Sequence, residues 1–405
     1  MTDSVFQLNC QCNNYPWGKT GHDSLAARLC EKTPGTGFKI QDGKEYAEMW
    51  MGDYPELPAK SLDTGEDLHS IIERRKSELL GASCIKKFGV ALPFLPKILS
   101  IQKALPLQIH PDKELAERLH QKDPEKFADT NHKPEIALAL SKFEVFAGWK
   151  PFEKARALFN LKPLQGFLPS NTTDFSAEVL RSVAHAILTS TDSMITETQN
   201  ALASIPRENY GDQSYIVDLL PRLQQQYSKS DPGNLVALLC MNYMVLSAGD
   251  SIYVPADGIH AYLSGDIVEC MARSNNVINT GFCPRADRDD IELFSSSLTF
   301  NSHRAEEMLL ESRPSPKGRN GKTVVYAPPL SEFSMLATML QQGETETISP
   351  IQGPTVMIVT KGSGTMTADG KTFDVKEGYV FFVGHGKEIS YRATGSLRIY
   401  AAFAE

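Results

Sequence analysis

The stretch LPLQIHPDKELAERL, residues 105–119, places a glutamine and a histidine in an apolar run, just before proline, aspartate and a helical pattern. Side chains two residues apart point to the same face of a strand. Gln108 and His110 can therefore offer an amide oxygen and an imidazole nitrogen to one point. The pattern predicts a buried strand that ends in two candidate ligands.

On either side of this stretch, the spacing of apolar residues changes twice along the chain. Up to about residue 110, short apolar runs separated by Gly, Pro and Asn predict β structure, interrupted by one helix in GEDLHSIIERRKSELLG, residues 65–81. Apolar residues then recur every three or four positions, which predicts helices, before strand character resumes. The basic stretch RPSPKGRNGK, residues 313–322, has the composition of an exposed linker, and the segment after it predicts a compact antiparallel barrel of its own.

The fold class is therefore mainly β with an α-helical insert. We expect four segments: residues 1–150, the first part of a β domain; 151–246, the helical insert; 247–312, the second part of that domain; and 324–405, a C-terminal β domain.

Composition narrows the functional classes. The 405 residues are 41% hydrophobic and 22% charged, as in soluble globular proteins with two or three domains. The net charge of -8 argues against a nucleic-acid partner. No apolar run approaches the roughly 20 residues of a membrane helix, and the scattered cysteines fit no disulfide framework. We expect a cytoplasmic protein without a membrane partner.

Two further residues complete a candidate metal site. Glu135 enters an apolar run in TNHKPEIALAL, and His260 lies in VPADGIHAYLSGD. Two histidines, a carboxylate and an amide suit Zn²⁺ and leave room for water or substrate. Alternatives exist, because His110 could be a core histidine and Glu135 an ion-pair partner of Lys133. The same donors would also suit Fe(II) in an oxygenase, although the amide argues against iron.

The order of several motifs is more specific than the ligand types. NNYPWGKTG, YAEMWMGDYP, LPFLPKILSIQKALPLQIHPDK, NHKPEIALAL, FAGWKP and VPADGIHAYLSGDIVECMARSNNV occur in the arrangement of type I phosphomannose isomerase. The resemblance spans nearly the whole chain and is to fungal members. It implies cupin (jelly-roll) barrels, a catalytic cupin followed by a cupin-like barrel. It also implies a Zn²⁺-dependent enzyme that interconverts mannose 6-phosphate and fructose 6-phosphate and supplies mannose for GDP-mannose and glycosylation. On this resemblance the metal ligands are Gln108, His110, Glu135 and His260.

Other site residues follow from the resemblance. An aldose–ketose isomerisation moves a proton between C1 and C2 through an enediol, which calls for a base and for positive charge near an oxygen. Glu269 is placed as a proton relay, with an ion pair to Arg273 as the alternative. The cations placed around the pocket are Lys97, Lys133 and Arg285, while Trp17 and Lys19 are placed at its edge.

Two departures from the family pattern affect these expectations. Asn279 stands where the family has its assigned catalytic arginine, and Pro106 stands where it usually has a serine. If residues 273–279 form a strand, Arg273 shares a face with Asn279 and partly replaces the missing guanidinium. Two hypotheses result: an active isomerase, or a metal-binding cupin that has lost turnover and senses sugar phosphates. We expect a monomer.

Overall fold

The structure is a computed structural model that describes residues 3–329 and 331–405. Three residues lie outside the described part: residues 1 and 2, at the start of the first expected segment, and residue 330, inside the expected C-terminal domain. The strands in the described part are β1 (Val5–Asn9), β2 (Gln11–Asn13), β3 (Lys19–Thr20), β4 (Glu45–Tyr46), β5 (Glu48–Trp50), β6 (Lys60–Ser61), β7 (Phe94–Ile101), β8 (Leu107–Ile109), β9 (Glu135–Ala139), β10 (Phe143–Trp149), β11 (Met241–Leu246), β12 (Ser251–Val254), β13 (His260–Ala272), β14 (Ile278–Gly281), β15 (Arg313–Pro314), β16 (Thr323–Tyr326), β17 (Ser334–Leu340), β18 (Thr345–Ile348), β19 (Thr355–Lys361), β20 (Ser363–Ala368), β21 (Lys371–Lys376), β22 (Val380–Val383), β23 (Ile389–Ala393) and β24 (Leu397–Phe403).

Helices concentrate between β10 and β11. The α-helices are α1 (Leu25–Lys32), α2 (Leu68–Arg74), α3 (Lys76–Leu79), α4 (Ala82–Phe88), α5 (Lys113–Lys122), α6 (Phe152–Phe159), α7 (Ala177–Thr189), α8 (Asp192–Ala203), α9 (Ile216–Gln226), α10 (Gly233–Cys240) and α11 (Ile291–Ser297). The helix expected over residues 65–81 is divided into α2 and α3, because Arg75 leaves the helical region with φ at -123°. Within the described part, no helix is long and apolar enough to cross a membrane. The expected mainly β class with a helical insert is confirmed.

The long strand β13 joins two sheets. Its first residues pair with β10 and β8, while the residues from Gly265 onward pair with β7 and β9. Gly265 has a φ of 125°, and a Cβ there would lie 2.5 Å from the Lys142 carbonyl oxygen. Only glycine therefore allows the strand to turn from one sheet to the other at this point.

Apolar side chains fill the space between these two sheets. This inner core includes Leu99, Phe143, Tyr262 and Ile267. The helical insert packs on the outer face of one sheet, where Phe146 and Leu263 join its core. Burial on both faces explains why β7, β9 and β10 are largely apolar rather than alternating, with one buried charged residue in each.

The C-terminal barrel is not built from residues 324–405 alone. Its larger sheet has the strand order β15-β16-β17-β24-β19-β22-β1-β6, so two strands from the start of the chain extend it. Phe6 and Leu8 of β1 are buried in a core that this sheet shares with the barrel of the two sheets joined by β13, which corresponds to the expected catalytic barrel. The expectation of a barrel of its own is therefore wrong in this respect. Pairing with β1 covers the edge of β22, which would otherwise be exposed.

A buried lysine connects the catalytic barrel with the insert. Lys150 follows β10, and its ammonium donates to Gln213 Oε1 at 2.6 Å, the Leu238 carbonyl at 2.9 Å and the Tyr215 hydroxyl at 3.2 Å. All three acceptors are uncharged. Burial therefore dominates and lowers the pKa of Lys150 to about 7.

The expected linker, residues 313–322, is partly ordered by one buried carboxylate. Glu346 accepts hydrogen bonds from the backbone N–H groups of Asn320 and Lys322, both at 2.7 Å. Arg313 and Pro314 are exposed, as expected, but Ser315 is buried. Two backbone N–H groups of the stretch are thus held by the buried Glu346 side chain.

Candidate metal centre and active site

Three buried side chains converge between the two sheets of the catalytic barrel. His110 follows β8, Glu135 begins β9 and His260 begins β13. His110 Nε2 lies 3.2 Å from Glu135 Oε1, and His260 Nε2 lies 3.6 Å from Glu135 Oε2. One donor atom from each residue falls within 4.8 Å of the others, a spacing that suits a shared ion.

The two imidazoles are oriented with one nitrogen toward the centre. His110 Nδ1 donates to the Asn276 carbonyl oxygen at 2.8 Å, and His260 Nδ1 donates to the Gly258 carbonyl oxygen at 2.9 Å. This assigns the lone pair to Nε2 in both rings. Both Nε2 atoms are buried and lack a hydrogen-bond partner within residues 3–329 and 331–405. Such atoms require a ligand, which a metal ion would provide.

Burial also keeps these rings neutral. It lowers the pKa of His110 to about 4, and Lys133 adds to the effect. The pKa of His260 is lowered too, again chiefly by burial. Neutral imidazoles are the form that binds a metal, so the site is ready to accept one at neutral pH.

Gln108 lies in the register expected of a fourth ligand. In β8 it pairs with His260 of β13 on one side and with Asn279 of β14 on the other. It is half-buried and precedes His110, the residue that follows β8, by two residues. Its role as a ligand stays a prediction.

A charged network lies on the adjoining strands β5, β7 and β13. Lys97 Nζ is 3.1 Å from Glu269 Oε2 and 3.6 Å from Glu48 Oε2, and all three residues are buried. The ammonium also lies 5.0 Å from the centre of the Trp50 ring. These contacts hold a cation beside the proposed metal ligands.

Burial and the neighbouring charges together shift the pKa values of Lys97 and Glu269. Burial alone would lower the pKa of Lys97, but Glu269, Glu48 and Glu135 outweigh it and raise the pKa well above its usual range. Burial raises the pKa of Glu269 to about 7, despite the opposing charge of Lys97. Glu269 can therefore both hold and release a proton near neutral pH, as a proton relay must.

Two more groups contact Glu135. Lys133 Nζ lies 3.6 Å from Glu135 Oε1, and the Tyr262 hydroxyl donates to Glu135 Oε2 at 2.9 Å. Lys133 is thus placed beside the metal site, as expected from the sequence. The contact also agrees with the alternative of an ion pair.

A cavity of about 720 Å³ opens next to this centre, between the catalytic barrel and the insert. Its lining includes Trp17, Pro106, Asn279 and Arg285. In the described part of the chain, the lining does not include His110, Glu135 or His260; the link to the centre is Asn279, the register partner of Gln108. The Asn279 side-chain oxygen is buried and has no hydrogen-bond partner in the described part of the chain.

Three predicted site residues are held elsewhere or by other partners. Residues 273–277 form no strand, so the proposed sharing of a face by Arg273 and Asn279 is wrong. The Arg273 guanidinium instead pairs with the buried Asp53 and lies over the Tyr54 ring. Its expected alternative, an ion pair with Glu269, is also wrong, because Lys97 occupies that carboxylate.

The other two residues are also paired. Lys19 Nζ binds Asp266 Oδ2 at 2.6 Å, which fixes it away from the cavity lining. Arg285 does reach the cavity, but its guanidinium pairs with Asp192 of the insert and its side chain is 71% exposed. Any phosphate contact by Arg285 would compete with that carboxylate.

Sequence reasoning missed three residues that shape the site. Glu48 contributes a buried carboxylate to the Lys97 network, Tyr262 hydrogen bonds to Glu135, and Asn276 supplies the carbonyl that orients His110. Glu48 lies in YAEMWMGDYP, two residues before the ring that contacts Lys97, which was an available signal. Asn276 acts through its backbone, which residue type does not reveal.

The fold and site define a mainly β protein with a helical insert and a buried His-Glu-His group that could hold a metal ion. The family model described as phosphomannose isomerase type I, catalytic domain, matches residues 5–152, and the model for the C-terminal domain matches residues 323–371. The chain belongs to the type I phosphomannose isomerase family.

Individual relatives agree over their full lengths. The chain is 35% identical to the mannose-6-phosphate isomerase of Schizosaccharomyces pombe over 420 residues, covering 99% of this chain and 100% of the relative. It is 35% identical to that of Aspergillus fumigatus, covering 96% and 94%. A solved Salmonella typhimurium mannose 6-phosphate isomerase, bound to the substrate F6P and zinc, has a TM-score of 0.82 and 23% identity, with complete coverage of both chains. This last likeness shows the shared fold.

Proposed function

We propose that this chain is a zinc-dependent mannose-6-phosphate isomerase. The two unpartnered Nε2 atoms facing Glu135 carry the assignment, within a chain that full-length relatives of this activity resemble. Two neutral imidazoles and a carboxylate fit Zn²⁺, and the solved relative contains zinc and F6P. Zinc supplies a Lewis acid for a carbonyl oxygen.

The chain's own residues perform the remaining tasks. We assign His110, Glu135 and His260 as ligands, with Gln108 as the fourth. Lys97 and Lys133 place positive charge where the enediol oxygens become negative.

Glu269 moves the proton between C1 and C2, because its pKa of about 7 suits both transfers. Trp17 and Arg285 line the route by which the sugar phosphate enters. Arg273 and Lys19 take no part in this assignment, because their partners Asp53 and Asp266 belong neither to the metal centre nor to the Lys97 network.

Less specific expectations accompany this function. A cytoplasmic location fits the seven free cysteines, which a reducing compartment preserves. Supply of mannose for GDP-mannose, a monomeric state, and the lack of a nucleic-acid or membrane partner stay predictions. The sensor alternative is disfavoured, because the buried charges needed for proton transfer accompany the metal ligands.

Turnover measured before and after chelation tests the proposal. Mannose 6-phosphate is added to the purified protein, and the fructose 6-phosphate formed is coupled to a dehydrogenase. We expect activity to disappear with chelation and to return with zinc. A folded, zinc-loaded protein without turnover would support the sensor instead, and recovery with ferrous iron but not zinc would contradict the metal assignment.

A further inference from the structure

A carboxylate of the C-terminal barrel reaches the segments that carry two of the metal ligands. Glu332 lies between β16 and β17. Its Oε1 accepts a hydrogen bond from His132 Nε2 at 2.7 Å and another from Lys113 Nζ at 3.1 Å. One oxygen atom thus bridges two segments of the catalytic barrel.

The spacing along the chain relates this contact to the metal. His132 precedes Glu135 by three residues, and Lys113 follows His110 by three. The carboxylate therefore ties together the two segments whose ligands approach within 3.2 Å of each other.

The two contacts are unequal. The side chains of Glu332 and His132 are 9% and 17% exposed, so their hydrogen bond is largely shielded from water. The side chain of Lys113 is 60% exposed, and exposed ion pairs contribute little. Burial raises the pKa of Glu332, but the contacts from His132 and Lys113 outweigh it and lower the pKa, so the group is a carboxylate at neutral pH. His132 is the partner that matters most.

The backbone of Glu332 is itself held firmly. The next residue, Phe333, is buried in the core shared by the two barrels. Its ring centre lies 6.4 Å from that of Phe94 in β7. Glu332 therefore lies in a loop beside a packed residue, which limits its movement and allows it to restrain what it binds.

We propose that Glu332 is a positioning residue through which the C-terminal barrel, chiefly by the hydrogen bond to His132, holds the Glu135 segment at the distance from His110 that the metal requires. The identity of the metal rests on the proposed function. The inference gives the C-terminal barrel a part in the reaction, although the hydrogen bonds and ion pairs of the metal ligands in the described part of the chain involve none of its residues. Displacement of ligands by a fraction of an ångström weakens metal sites, which explains why a distant carboxylate matters.

Zinc affinity of the apoprotein tests this, measured by competition with a chromogenic chelator. We expect Glu332→Ala to weaken zinc binding by about 10-fold, the lower end for groups that support ligands. Glu332→Gln keeps an oxygen that accepts from His132, so its affinity should stay within about 3-fold of the wild type. His132→Leu removes the same hydrogen bond, and combining it with Glu332→Ala should add little.

Glu377→Ala is the matched control. Glu377 also joins the C-terminal barrel to the catalytic domain, through a 2.7 Å ion pair with Lys32 of α1, and its side chain is 33% exposed. Its loss should leave zinc affinity unchanged. The inference would be overturned if Glu332→Ala bound zinc as tightly as the wild type, even if its melting temperature fell. If Glu332→Ala does not fold, wild-type zinc affinity in His132→Leu would overturn it instead. Zinc binding is measured without turnover, so an inactive but zinc-binding wild type would refute the proposed function and leave this inference standing.

Discussion

Loss of His260 should abolish the thermal stabilisation that zinc gives to this chain. The folded protein buries two imidazole nitrogens that lack partners among the described residues, and an ion satisfies both at once. An unfolded chain holds no such arrangement of His110, Glu135 and His260. Zinc therefore binds the folded state preferentially and raises the melting temperature.

The size of the shift follows from mass action. Free zinc at about 1,000 times its dissociation constant stabilises the folded state by about 4 kcal/mol. Unfolding entropy of about 2.1 cal/mol/K per residue, over 405 residues, gives about 0.85 kcal/mol per kelvin. The expected shift is then about 5 °C for cooperative unfolding of the whole chain, which the core shared by the two barrels favours. Zinc binding to cysteines of the unfolded chain makes this an upper limit.

Calorimetry of chelated and zinc-loaded protein measures the shift. His260→Ala should reduce it to below about 1 °C, because removing one ligand greatly weakens the site. His185→Ala is the control, since His185 lies on α7 and pairs with the exposed Glu292. Its shift should match the wild type. An equal shift in His260→Ala and the wild type would refute the proposed site.

Lys97→Met should cost about 3–5 kcal/mol in urea unfolding, because it leaves Glu48 and Glu269 buried without their cation; a loss below about 1 kcal/mol would contradict the network. Asn279→Arg should raise kcat/KM by at least about 10-fold in the coupled assay, since a fixed cation stabilises the enediolate, whereas Asn279→Ala should change it little. Burial depresses the pKa of Lys150 from 10.5 to about 7, so the unfolded state binds more protons between these values and stability rises with pH there. Between pH 7 and 9 the wild type should gain about 2 kcal/mol relative to Lys150→Met in urea midpoints; parallel profiles would exclude a neutral buried lysine.

The proposed ligands could be found from the sequence because their signals are local. Gln108 and His110 lie two residues apart at the end of one apolar run, and Glu135 and His260 each begin another. The Lys97 network could not be found in this way. It depends on Lys97 lying opposite Trp50 in β5 and opposite Glu269 in β13, and such pairings between distant strands are set by the tertiary fold.

Arg273 shows how a local rule failed. The alternation rule applies only within a strand, and β13 ends at Ala272. The next residues are held by side-chain hydrogen bonds instead, including that from the Asn276 amide to the Asp129 carbonyl at 2.8 Å. This loop conformation directs the Asn276 carbonyl toward His110 and leaves Arg273 with Asp53. The sequence shows the polar residues that follow β13, but it does not show which groups they hydrogen bond to.

Because Asn279 is uncharged, the net charge of the site depends on whether a metal ion is bound. The buried centre holds three carboxylates, Glu48, Glu135 and Glu269, against two ammonium groups, Lys97 and Lys133, while the imidazoles are neutral. With Glu269 ionised, the net charge is about -1 without metal and about +1 with a divalent ion. Protonation of Glu269, whose pKa is about 7, changes these values to about 0 and about +2, so only the metal-bound centre attracts a sugar phosphate. An arginine at position 279 would add one positive charge in either state. Its replacement by asparagine makes zinc the group that decides the sign, so metal binding here governs substrate capture as well as the chemical step.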